Sequence, residues 1–181
     1  MNALPTAIAG VLILEPRIFE DERGFFFESW NAREFACAVG QDVRFVQDNH
    51  SHSKRNVLRG IHYQVKQPQG KLVRVGRGCV FDVAVDLRRS SQTFGHWVSL
   101  ELSEENRRQL WIPVGVAHAF LVLSESADLL YKATHYYAPE HERCLVWNDP
   151  AVGIEWPLLG EPIMSTKDRA GLPLREVEVF T

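Results

Sequence analysis

Four polar side chains, Arg59, His62, Gln64 and Lys71, three of them able to carry charge, crowd into the stretch Val57–Val75. Imidazole gains and loses a proton near neutrality. Lysine supplies a compact positive charge and arginine a planar fork of donors. Together they suit acid–base chemistry on a polar or charged ligand. Apolar residues alternate around them, which reads as two strands, Val57–Gln64 and Lys71–Val75, paired as a hairpin across a polar turn at Lys66–Gly70. A polar group buried without a partner costs about 1–3 kcal/mol, so strands that only built a core would not carry four. The stretch is expected to line a wet pocket.

The elements that position these groups are short and extended. Arg59 and His62 are an odd number of residues apart, so a regular strand would turn them to opposite faces. Gly60 between them offers a β-bulge that brings both to one side. Gln47 and Asn49 share a face, as do Tyr131 and Tyr137. Further strand-like runs are Gly10–Leu14, Gly24–Trp30, Arg44–His50, Cys79–Leu87, Gly95–Leu102, Leu110–Ile112, Ala119–Leu123 and Leu129–Tyr137. Such spacing favours a sandwich or barrel over a parallel sheet with crossover helices. Helix signals are few. Asn31 caps Ala32–Val39, which Gly40 ends; Ser103 caps one turn to Arg108; Ser165-Thr166-Lys167-Asp168 has capping-box form ahead of a turn that Gly171 stops. The tail, Pro157–Thr181, is expected to wrap the outside of one all-β domain spanning residues 1–181.

Composition narrows the partners. Apolar residues make up 45% and charged residues 24% of 181, ordinary for a soluble globular chain. A net charge of −3 speaks against a general nucleic-acid binder. Cys37, Cys79 and Cys144 are odd in number and form no Cys-x-x-Cys, which reads as reduced cytoplasmic thiols. No signal-peptide pattern or membrane-length apolar run is seen.

A second informative stretch is Trp111–Phe120, where Pro113, Gly115 and His118 form Pro-x-Gly-x-x-His. That spacing resembles the second cupin motif, whose histidine ligates a metal in many cupins. The first cupin motif would need His-x-His followed by Glu; His62-Tyr63-Gln64 offers one histidine, and Lys71 stands where an anionic ligand is expected. Lysine repels a divalent ion. His50-Ser51-His52 does supply His-x-His, but no acid follows at the right interval. The pattern therefore resembles a double-stranded β-helix, a cupin-like jelly roll, whose metal set has been replaced.

Six motifs then occur in order: Phe45-Val-Gln-Asp-Asn-His, Leu58-Arg-Gly-Ile-His-Tyr-Gln, Gln69-Gly-Lys-Leu-Val-Arg, Phe81-Asp-Val-Ala-Val-Asp-Leu-Arg, Trp111-Ile-Pro-x-Gly-x-Ala-His and Ser165-x-Lys-Asp. From about Gly10 to Gly171 the chain resembles the dTDP-4-dehydrorhamnose 3,5-epimerases. One departure is Met164-Ser-Thr-Lys-Asp, where the family more often has Leu-Ser-Glu-Lys-Asp; the Ser, Lys and Asp are kept.

The resemblance implies a cofactor-independent, homodimeric enzyme, without bound metal, acting on a dTDP-sugar. Epimerising carbons beside a ketone needs a base of near-neutral pKa, a cation or donor at the ketone oxygen, and an acid on the opposite face. His62 is then the candidate base, oriented by Asp168. Lys71 is the candidate enolate stabiliser, Tyr131 the acid, and His118 a hydrogen-bonding wall. The resemblance further points to Arg59 and Arg23 at the diphosphate, with Arg169 beside them. Tyr137 and Phe19 fall at the nucleotide end, and Glu28, Gln47 and Asn49 supply polar contacts. Glu142 and Arg143 read as structural. In the family, N-terminal strand residues lie near the partner's site, so Phe25-Phe26-Phe27 reads as interface or buried strand. Competing readings are a single-carbon epimerase, a metal-dependent cupin enzyme and a non-catalytic sugar-nucleotide binder; Tyr131 argues for inversion at two carbons.

Overall fold

The period-two alternation resolves into two facing antiparallel sheets in the computed structural model, which describes residues 1–181. In chain order the elements are β1 (Asn2–Pro5), β2 (Leu12–Glu15), β3 (Ile18–Asp21), β4 (Gly24–Phe27), α1 (Ala32–Val39), β5 (Gln47–Lys54), β6 (Leu58–Gln64), β7 (Lys71–Arg77), β8 (Cys79–Asp86), β9 (Trp97–Ser103), β10 (Gln109–Ile112), β11 (Val116–Val122), β12 (Ser126–Ala133), β13 (Glu142–Cys144) and α2 (Thr166–Arg169). One sheet runs β1-β2-β10-β7-β12-β5 and the other β13-β6-β11-β8-β9, while β3 and β4 form a separate two-stranded ribbon. This is the all-β, cupin-like jelly roll that the strand spacing and motifs imply.

Side-chain alternation explains the layers. Val73, Val75, Leu110, Ile112 and Leu129 from the six-stranded sheet meet Val80, Ala84, Leu102, Phe120 and Val122 from the other to form the central core. Outward residues of the five-stranded sheet, among them Ile61, Tyr63, Val83 and Val85, are covered by Val152, Leu174, Val177 and Phe180 of the C-terminal segment. The tail wraps the barrel as expected. On the other outer face, Phe35 of α1 packs against Leu14, Leu72 and Trp111. The α1 bounds match the sequence signals: Asn31 Oδ1 accepts from the Arg33 and Glu34 amides, and Gly40 ends the helix in the left-handed region at φ 78°. Ser103 caps only a turn, its Oγ accepting from the Asn106 amide at 3.1 Å.

The central hairpin is not one. β6 and β7 belong to opposite sheets, β6 pairing with β11 and β13, and β7 with β10 and β12. The Lys66–Gly70 connection therefore crosses from one wall of the sandwich to the other. The local pattern reads the same either way, and only long-range pairing distinguishes the two. Gln64 serves this crossing, not a pocket: its amide donates to the Gln67 and Tyr136 carbonyls and accepts from the Ala138 amide.

The bulge at Gly60 is present. Phe120 faces Arg59 and His118 faces His62, so three residues of β6 advance against two of β11. Gly60 sits at φ 120°, and a Cβ there would lie 2.5 Å from the Ala119 Cβ, which only glycine avoids. Strand bounds shift most at two elements: β5 begins at Gln47 and extends to Lys54, and β12 covers Ser126–Ala133, leaving Tyr137 in the following loop. Phe25 and Phe26 are 56% and 68% exposed, which removes the buried-strand reading of that run.

Candidate active site

The bulge brings Arg59 and His62 to the inner face of the five-stranded sheet, and β7 and β12 present Lys71 and Tyr131 from the opposite sheet. Between them lies a cavity of about 290 Å3, also lined by Ser51, His118, Phe120, Ser165, Lys167 and Asp168. Base and acid candidates thus come from facing walls of one cavity.

His62 Nε2 lies 2.6 Å from Asp168 Oδ1. Both atoms are shielded from water. A carboxylate at Nε2 selects the Nε2–H tautomer and leaves the Nδ1 lone pair free; the nearest acid to Nδ1 is Glu142 Oε1 at 3.9 Å. Asp168 also serves α2: its second oxygen accepts from Ser165 Oγ at 2.7 Å, and its own amide donates to that Oγ at 3.1 Å. Asp168 thus turns one oxygen to the helix cap and the other to His62. Burial alone would raise its pKa, but hydrogen bonds from His62 and Ser165 outweigh this and hold it below the usual carboxylate value.

Lys71 makes no ion pair. Burial pulls its pKa down to about 8, opposed by the charges of Glu142 and Asp82. Its Nζ sits 5.7 Å from the Tyr131 ring centroid. Burial raises the Tyr131 pKa, and the Glu142 charge adds to that, so the phenol stays protonated. His118 faces His62 directly across β11 and β6, and its Nε2 meets both oxygens of fully buried Asp82 at 3.0 and 2.9 Å.

At the cavity mouth, exposed Arg59 donates from Nε to Ser53 Oγ at 3.0 Å. Gln47 donates to Asn49 Oδ1 at 2.8 Å, which leaves the buried Asn49 Nδ2 without a partner. Tyr137 does not share the face of Tyr131; from its loop its hydroxyl donates to Glu142 Oε2 at 2.7 Å, and Lys167 Nζ pairs with the same carboxylate. Burial would raise the Glu142 pKa, but those two hydrogen bonds and nearby His62 keep it low.

Seven expected residues do not line this cavity: Gln47, Asn49 and Tyr137, and also Phe19, Arg23, Glu28 and Arg169. Phe19 and Arg23 lie on the exposed β3–β4 ribbon, where Arg23 is held by Asp21. Glu28 accepts from Asn31 Nδ2, and Arg169 is exposed on α2. Conversely, Glu142, Lys167 and Asp82 belong to the site although the sequence reading set Glu142 down as structural and passed over the other two. Asp82 carried a signal, an acid inside the apolar run Phe81–Val85, which demands a buried partner.

His62, Cys144 and Asp168 place possible metal-ligand atoms within 4.8 Å of one another. Burial and the Asp168 and Glu142 charges push the Cys144 thiol up to about 12, so it stays protonated. Arg59, Lys71 and Lys167 surround the same space with positive charge. This donor set suits proton transfer beside an anion better than a cation. The upstream His50 and His52 share Asp128 Oδ1, at 3.1 and 2.9 Å, on the exposed face of β5, apart from the cavity.

A family model described as dTDP-4-dehydrorhamnose 3,5-epimerase matches residues 5–176. The dTDP-4-dehydrorhamnose 3,5-epimerase of Pseudomonas aeruginosa is 60% identical over 180 residues, covering 99% of both chains. The Salmonella typhimurium enzyme of the same name is 58% identical, covering 100% of this chain and 99% of its own. Among solved structures, a dTDP-6-deoxy-D-glucose-3,5-epimerase from Legionella pneumophila, in complex with dTDP-4-keto-L-rhamnose, superposes with a TM-score of 0.95. It is 51% identical, and the match covers 98% of this chain and 94% of that one.

Proposed function

The chain belongs to the dTDP-4-dehydrorhamnose 3,5-epimerase family, and from that premise we propose how its residues invert carbons 3 and 5 of dTDP-4-dehydro-6-deoxy-D-glucose. The observation that carries the reading is a carboxylate-held imidazole facing an unpaired ammonium and a free phenol across one cavity. His62 Nδ1 removes the proton beside the 4-keto group. The electron pair moves into the ring, and the negative charge gathers on oxygen 4. The Lys71 ammonium, with no carboxylate in contact, meets that charge. Asp168 stabilises the imidazolium that forms. Tyr131, from the opposite sheet, returns a proton at carbon 5 on the other face, a solvent proton is returned at carbon 3, and the ketone reforms after each step. With dTDP-4-dehydro-L-rhamnose as product, each inverted carbon exchanges one proton with solvent.

Tyr131→Phe tests the two-sided arrangement. Run in deuterium oxide, the variant is expected to keep deuterium uptake at carbon 3 while net inversion at carbon 5 falls about 100-fold or more. Full inversion at carbon 5 would remove Tyr131 as the acid.

Arg59 at the mouth takes the diphosphate. Arg59→Ala is expected to weaken dTDP binding roughly 10- to 100-fold, the worth of a charge-assisted contact, with thymidine nearly indifferent in the same titration. Gln47, Asn49 and Tyr137 line the nucleotide path beyond it, the orphan Asn49 amide offering a ready donor.

A cavity of about 290 Å3 is at the small end of ligand pockets and suits the sugar, not a whole sugar nucleotide. The remaining subsite residues Phe19, Arg23 and Glu28 lie on or beside a ribbon whose Phe25 and Phe26 are exposed. A homodimer accounts for both facts, with each ribbon completing the other copy's nucleotide end; Arg169 stands near that rim. Residues 1–181 act as one domain. No helix is long and apolar enough to cross a membrane, and the three free cysteines support a cytoplasmic setting.

A further inference from the structure

We propose that Asp82 is a positioning residue for the epimerisation, fixing His118 beneath the sugar and serving as the buried counter-charge of Lys71. The inference rests on the Lys71 role proposed above. Asp82 has no exposed surface, lies on the inner face of β8 within the central core, and spends both carboxylate oxygens on His118 Nε2. That contact fixes the Nε2–H tautomer and turns Nδ1 of His118 toward the cavity as an acceptor. A buried carboxylate with no guanidinium or ammonium in contact is costly to the fold, and nothing in the packing requires one, since its strand neighbours Val80 and Ala84 are apolar. On β7 of the opposite sheet stands part-buried Lys71, which makes no ion pair and whose charge is felt at Asp82.

The other groups around Lys71 divide by sign. Glu142 on β13 and Asp168 on α2 are negative, but each is already engaged, Glu142 by Lys167 and Tyr137, Asp168 by His62 and Ser165. Arg59 on β6 and Lys167 on α2 are positive and disfavour a further ammonium. His62 and Tyr131 complete the ring of titratable groups. Asp82 is thus the carboxylate beneath Lys71 whose partner is an imidazole and not a fixed cation. Burial raises its own pKa, and the His118 and Lys71 charges oppose that rise.

The test is the pH profile of kcat/KM, which reports the free enzyme. The wild-type alkaline limb is expected near pH 8, where Lys71 loses its proton, and Lys71→Arg should carry the limb upward out of range. If Lys71→Arg leaves the limb in place, the Lys71 role itself fails. Given that control, Asp82→Asn, isosteric but uncharged, should lower the limb by about one unit or more. It should also reduce kcat at pH 8 at least about fivefold while KM moves less than about threefold. In a Lys71→Arg background the same change should leave the limb unmoved. An unshifted limb in Asp82→Asn overturns the inference. Should that variant not fold, His118→Asn decides: it keeps the Asp82 charge, so the limb should stay near pH 8, and a fall of a unit would assign the effect to His118 and overturn the role of Asp82.

Discussion

His62→Asn is expected to lower the epimerisation rate by about 1,000-fold or more while dTDP binds as it does to the wild type. Asparagine ends near the position of Nδ1 and does not reach Asp168 as Nε2 does, but the carboxylate keeps its bond from Ser165 and α2 keeps its cap. What disappears is the imidazole lone pair assigned to take the substrate's proton near neutrality. Lys71 and Lys167 are cations, the Tyr131 phenol is held protonated by burial, and His118 is committed to Asp82 through Nε2. A calorimetric titration with dTDP alongside a turnover assay separates the two effects. Weakened binding together with normal turnover of bound substrate would assign His62 to the nucleotide subsite instead.

The second large effect is a trade between activity and stability at Lys71. Lys71→Met should cut kcat about 100- to 1,000-fold, the usual loss when one donor to a developing oxyanion is removed. The same change should stabilise the fold. Burial lowers the folded-state pKa of Lys71 from 10.5 to about 8, so between those values the unfolded chain binds more protons than the native one. Wild-type stability should therefore climb as pH rises from about 8 to about 10.5, with the penalty fully present below pH 8. Methionine removes that penalty, a gain on the order of 3 kcal/mol at pH 7 as an upper bound, and also removes the alkaline climb. Denaturant midpoints at pH 7 and pH 10 measure both. A variant less stable than wild type at pH 7 would mean that Lys71 is an ordinary structural cation.

The groups proposed to do the chemistry were legible because their types are costly inside a barrel. A histidine, an arginine and a lysine alternating with apolar residues demand partners or solvent, whichever way the strands pair. Gly60 was legible for a related reason: only a bulge reconciles the odd spacing of Arg59 and His62 with one shared pocket, and the register shift lies there. Local capping likewise bounded α1, since Asn31 and Gly40 act within a few residues of themselves.

Long-range partners were not legible. The Lys66–Gly70 segment carries the same polar signals as a hairpin turn or as a crossing between sheets, and the choice is made by β10, β11, β12 and β13, far along the chain. Glu142 enters the site only because β13 pairs with β6, which sets Glu142 against Gln64 and Cys144 against His62. Asp82 shows its meaning only once β11 brings His118 beside it. Tyr137 left the expected face because β12 ends at Ala133. Phe19, Arg23 and Glu28 lie farthest from a single-chain reading, since the proposed dimer asks them to serve another copy's cavity.

The most direct measurement follows hydrogen, not product. Incubated with dTDP-4-dehydro-6-deoxy-D-glucose in deuterium oxide without added metal, the protein should place deuterium at both carbon 3 and carbon 5, resolved by proton NMR as the L-rhamno configuration appears. Product formed with protium retained at those carbons would contradict an enolate generated by His62 and held by Lys71.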